Sequence, residues 1–187
     1  MKTNRLIRKS TVLFMALAVF AMIFTGCKKD SSSSSSSSGG SGGGGGDVPP
    51  TGNYGTIVVG DQNYSIHAGV YTVTYDEDIQ ANEIGIALVD GLSQTANSYV
   101  VVIPFYEAIP NGTFTYYLGE EPHQGQCGGM LMKGGTSDML VCTSGSVTIT
   151  KTGANYKITS SGTATADMQN NISFSVNFEG PLTFEQE

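Results

Sequence analysis

The sequence predicts an all-β domain over residues 51–187, preceded by an export signal and a tether. Three observations carry this. From Thr51 to Glu187 the chain is built of short apolar runs with a period of two, the spacing of a strand with one face buried. Turn residues separate the runs: Gly60-Asp61-Gln62-Asn63, Asp90-Gly91, Pro110-Asn111-Gly112, Thr152-Gly153-Ala154-Asn155 and Met168–Asn171. No stretch of ten residues in this region shows helical spacing. Many short strands mean an antiparallel β-sandwich or, as the alternative, a lipocalin-like or other small β-barrel. The 187 residues allow one domain of ordinary size.

The N-terminal segment is different in kind. Arg5, Arg8 and Lys9 lead into Val12–Phe24, thirteen consecutive apolar residues. A membrane-spanning helix needs roughly 20 such residues, whereas a secretory signal needs a basic start and about 7–15. The run reads as a signal peptide ending at residue 26. Ser31–Ser38, Gly39-Gly40-Ser41 and Gly42–Gly46 follow, sixteen residues of Ser and Gly with no side chain able to bury apolar area. Residues 27–50 are therefore expected to be a flexible tether, reaching about 25 Å root-mean-square by the scaling of roughly 5–6 Å × √n.

Phe24-Thr25-Gly26-Cys27 resembles the lipobox of bacterial lipoproteins, with Phe24 where Leu is usual. The resemblance implies that Cys27 becomes the first residue of the mature chain, with a diacylglyceryl group on its sulfur and an acylated amine. Two acyl chains at about 0.8 kcal/mol per buried CH₂ suffice for stable anchoring in a bilayer. Lys28, rather than Asp, follows the lipidated position, which by the same resemblance favours the outer membrane of a Gram-negative envelope.

The strands expected are Gly55–Val59, Tyr64–Ile66, Val70–Tyr75, Ile84–Val89, Tyr99–Pro104, Thr113–Leu118, Gly129–Lys133, Met139–Cys142, Ser146–Lys151, Tyr156–Thr159, Ile172–Phe178 and Leu182–Phe184. Ile172, Phe174, Val176 and Phe178 alternate with Ser173, Ser175 and Asn177, a half-buried antiparallel strand. A turn at Thr152–Asn155 sets Ile149 opposite Ile158. Tyr71, Val73 and Tyr75 share a face. Tyr99–Ile103 is apolar on both faces, which makes it central. Gly134-Gly135 is a favoured two-residue hairpin turn, and it places Cys127 directly opposite Cys142. Opposed strand residues lie within disulfide range, so a Cys127–Cys142 bridge worth about 3 kcal/mol is expected. A turn at Gly134–Asp138 is the rival and gives only a diagonal approach; free structural thiols are then the alternative.

Charge restricts the partners. Residues 51–187 hold three basic side chains (Lys133, Lys151 and Lys157) against fourteen acidic ones, a net −11. Such a surface repels phosphate backbones, which excludes nucleic acid. Neither His67 nor His123 completes a nucleophile–base arrangement beyond a distant His123–Cys127 spacing, and there is no Gly-x-Ser-x-Gly elbow. No cofactor is expected and no catalytic residue is assigned. Asp76, Asp78 and Glu83 alternate as weak calcium candidates, but Ala81 stands where a calcium loop needs Gly. Tyr117, opposite in direction to Phe114 and Tyr116, and Tyr106 at a strand end are the exposed aromatics a glycan could stack on.

Ile109–Phe114, with its Pro-x-Gly-Thr-aromatic opening, resembles the strand openings of small uncharacterised β-sandwich lipoproteins of Gram-negative bacteria. Gly145–Lys151, Tyr156–Thr159 and Phe178–Leu182 are similar to their closing strands. The likeness covers about the last 80 residues and implies an envelope location without an activity. The expectation is thus a non-enzymatic envelope lipoprotein that binds a glycan or a protein partner. The alternatives are a carboxylate-based, glycosidase-like enzyme and a strand-exchanging assembly subunit.

Overall fold

The computed structural model describes residues 52–91, 96–119, 122–134 and 138–185. The expected signal peptide, Cys27 and the tether lie outside the described residues. Among the described residues, eleven strands form one sheet: β1 (Gly55–Val59), β2 (Gln62–Ile66), β3 (Ala68–Asp76), β4 (Ala81–Val89), β5 (Ser98–Pro104), β6 (Gly112–Tyr116), β7 (Gln126–Met132), β8 (Met139–Thr152), β9 (Asn155–Thr165), β10 (Ile172–Gly180) and β11 (Thr183–Phe184). Their order is β11-β3-β4-β5-β7-β6-β8-β9-β10-β1-β2. The all-β class is as expected. The architecture is the barrel-like one, a single strongly curled sheet forming a half-barrel. It is mixed rather than purely antiparallel, because β6–β7 and β11–β3 pair in parallel.

Period two explains most of the elements. Phe174, Val176 and Phe178 are buried on the concave face of β10, while Ser173, Ser175 and Asn177 are exposed. Ile149 pairs with Ile158, as the turn geometry requires, and Gly153 takes the left-handed conformation (φ 63°) that a tight turn demands. All seven residues of β5 are buried between β4 and β7. Its concave side (Tyr99, Val101 and Ile103) joins the main core. Val100, on its convex side, joins a smaller cluster with Val70, Ala87 and Met130. Tyr71 and Val73 pack on the main core, but Tyr75 is exposed because it lies near the tip of the β3–β4 hairpin.

Two expected strands, Met139–Cys142 and Ser146–Lys151, are one. β8 runs through both with a bulge between Cys142 and Ser144. Just beyond the bulge, Gly145 faces Gly162 across the ladder.

The Cys127–Cys142 pairing needs correction. Both cysteines are free, buried thiols, and the expected bridge is not formed. The hairpin closes between Lys133 N–H and Asp138 O (3.1 Å), a register other than the one a two-residue turn would set. The resulting register pairs Met130 with Val141 and Met132 with Met139. Continued, it sets Cys142 against Gly129, two positions from Cys127. Beyond that point β7 and β8 diverge, and β6 occupies the fork. Tyr116 of β6 pairs with Cys127, and Phe114 pairs with Val147. Gly129 permits this, since a Cβ there would come within 2.3 Å of the Tyr116 ring.

Candidate functional site

Among the described residues, one end of the half-barrel is not filled by side chains. There the concave face leaves a cavity of about 410 Å³. Ile57, Val59, Tyr64, Leu131, Leu140 and Ile172 form its apolar wall, and Gln62, Asn97, Lys133 and Asp138 stand among its polar lining. Along β1 the lining runs from Ile57 to Gly60, a rise of three residues, so the cavity is about 10 Å deep at roughly 3.3 Å per residue. Elsewhere the concave face is filled. Phe174 packs edge-on against Tyr116 (centroids 5.9 Å) and lies 6.3 Å from Tyr99. The Tyr99 and Tyr116 hydroxyls share a hydrogen bond, which Ser160 continues to the Ser146 carbonyl. This satisfies every polar group the aromatic cluster buries.

The rim is held by backbone and amide contacts. Asp90 accepts both the backbone N–H (2.7 Å) and the side-chain amide (2.5 Å) of Asn97, whose own carbonyl oxygen accepts Gly134 N–H (3.2 Å). The Tyr64 hydroxyl donates to Gln62 Oε1. Asp167, next to Ala166 of the lining, accepts the N–H groups of Gln169 and Asn170 (both 2.9 Å). The bonds from Asn170 and Gln169 hold its carboxyl at about 2, well below the ordinary value, so it is ionised at any working pH.

The residues singled out from the sequence lie elsewhere. Tyr106 is half-buried against Phe114 (5.6 Å, T-shaped), and Tyr117 lies 6.4 Å from His123 in a tilted arrangement; neither lines the cavity. The Asp76–Glu83 hairpin is at the opposite end of the sheet, where Glu83 pairs with Pro104. Asp76, Asp78 and Glu83 do not make a cation site. No group of three potential ligands occurs among the described residues. Asp76 instead accepts the backbone N–H of Asp78 (2.7 Å) and Ile79 (3.4 Å), capping its own turn. The Cys127 thiol, 1% exposed, is pushed up to about 12 by burial and points at the Thr115 carbonyl (3.7 Å), so it offers no thiolate. His123, by contrast, is exposed beside Tyr117.

The cavity wall was missed by sequence reasoning. Its one visible signal is Ile172, an apolar residue that continues the buried face of β10 beside a turn and ends 37% exposed. Comparison of the chain with protein-family models, with curated proteins and with solved structures finds no match.

Proposed function

We propose that the protein is a lipid-anchored, non-enzymatic binding module of a Gram-negative envelope, and that its ligand is a small, largely apolar molecule held in the mouth of the half-barrel. The observation that carries the ligand site is the 410 Å³ cavity with an apolar wall and a polar rim. Binding sites for small molecules are typically concave, 300–1,000 Å³ and apolar, with a few polar groups for orientation. Small barrels that hold one ligand use the same place. A glycan is less well matched, because Tyr106 and Tyr117 are engaged with other rings away from the cavity. The anchor is supported by the sequence alone, through the basic start, the apolar run and the Phe24-Thr25-Gly26-Cys27 box.

Two measurements test the two halves of this reading. N-phenyl-1-naphthylamine, a neutral fluorescent reporter of apolar sites, should bind the domain at one site. Ala166→Trp, an exposed position at the rim, should weaken that binding at least tenfold while leaving the melting temperature unchanged. Equal binding by both proteins, or none by the wild type, overturns the cavity as the site. For the anchor, Cys27→Ser should abolish incorporation of labelled palmitate and leave the precursor uncleaved; a Cys27→Ser protein that still carries lipid overturns it.

A further inference from the structure

We propose that the mouth cavity selects a compact organic cation, with an apolar body of two or three rings and a positively charged end at the rim. This rests on the reading of the cavity as the binding site and goes on to name the class of its ligand.

Size sets the body. An apolar cavity of about 150 Å³ holds one benzene, so 410 Å³ has room for a two- or three-ring system. Depth disfavours the other common apolar ligand. An extended acyl chain of a dozen carbons, on the order of 15 Å long, exceeds the roughly 10 Å that the lining spans at the rise of a strand. The far end of such a chain would stay in water.

Charge sets the end group. Asp138 lines the cavity. Asp61 sits in the turn between Val59 and Gln62, both of which line it. Asp90 grips Asn97, another lining residue. Asp167 follows Ala166 and stays ionised. Lys133 is the basic side chain of the lining, while Lys151 and Lys157 belong to the β8–β9 hairpin at the opposite end. Asp138 and Lys133 line the cavity itself, and Asp61, Asp90 and Asp167 stand beside it, so four carboxylates against one ammonium give the rim of this apolar concavity a negative potential. An ammonium or amidinium end is drawn to it, and a carboxylate or sulfonate is repelled. The Tyr64 hydroxyl and the Gln62 amide, bonded to each other at the rim, add neutral polar contacts for the same end.

The test uses one tricyclic body with two end groups. At low ionic strength, 9-aminoacridine should bind the domain at least tenfold more tightly than 9-anthracenecarboxylate. The gap should narrow in 0.5 M salt, where charges at the rim are screened. The double variant Asp61→Asn, Asp138→Asn should cut the preference severalfold. Ala166→Trp should remove binding of both probes, which separates the cavity from unspecific attraction of a cation to an acidic protein. If both probes bind equally and Ala166→Trp blocks both, the cavity stands as the site and the cation preference is refuted. If 9-aminoacridine binds as well to Ala166→Trp as to the wild type, its binding is surface charge alone and this proposal falls. If neither probe nor N-phenyl-1-naphthylamine binds, the site reading itself falls and takes the cation with it.

Discussion

Gly162→Ala is expected to prevent the domain from folding, with a loss above about 4 kcal/mol, the range reached by backbone strain and gross overpacking rather than by ordinary substitutions. A Cβ at Gly162 would lie 1.9 Å from the Ser144 carbonyl oxygen. The obstacle is main chain, so no side chain can swing aside. The partner has the same constraint: Gly145 has φ +106°, and a Cβ there would come within 2.0 Å of the Ser161 oxygen. The two glycines face each other next to the bulge, where the β8 and β9 backbones approach closely. Opening this point would part the longest ladder of the sheet, from Val141↔Thr165 to Thr152↔Asn155. Soluble yield and urea unfolding of Gly162→Ala check it, with Ser161→Ala, exposed on the convex face, as the neutral companion. A Gly162→Ala protein that unfolds within 1 kcal/mol of wild type would show that β8 and β9 part there at little cost.

Glu83→Gln is expected to stabilise the protein by about 1–2 kcal/mol at pH 8 and to leave it unchanged at pH 4. Glu83 is 6% exposed, and its Oε2 has no hydrogen-bond partner among the described residues. Burial, and after it the charge of Asp76, push its carboxyl from 4.5 to about 7. The sign follows from the two states. Below about pH 4.5 both the folded and the unfolded chain carry the proton, so there is no cost. Between 4.5 and 7 the unfolded chain ionises while the folded one keeps its proton, so stability falls as pH rises. Above 7 both are ionised and the full penalty remains, about 3 kcal/mol by linkage and roughly half that with solvent screening. Denaturant midpoints between pH 4 and 8.5 decide it. Parallel curves for wild type and Glu83→Gln would show that this carboxyl does not sense folding.

The sequence revealed what depends on neighbours along the chain. Alternation in Ile172–Phe178 set the buried face of β10, and the Thr152–Asn155 turn set the Ile149↔Ile158 pair, because a two-residue period and a tight turn leave no freedom of register. It failed where pairing is decided elsewhere. Gly134-Gly135 has the composition of a hairpin turn. The β7–β8 register is instead fixed by the Lys133–Asp138 closure and by β6 lying between the diverging strands. The cysteine pair was misplaced for that reason. The cavity was illegible for a related one. Ile57, Tyr64, Leu131 and Leu140 look like ordinary core residues in four separate strands. Only the curl of the sheet shows that, among the described residues, no side chain fills the space between them.

The place of β6 also has a kinetic consequence. β7 and β8 are neighbours along the chain and could zip together within microseconds as a hairpin. A fully zipped pair, however, would shut out β6, whose contacts with β8 join residues more than thirty positions apart. The native route must hold the hairpin half closed until an earlier segment arrives, which raises the contact order and slows the search. Folding in milliseconds to seconds, with a premature β7–β8 hairpin as the trap, is the behaviour this topology dictates.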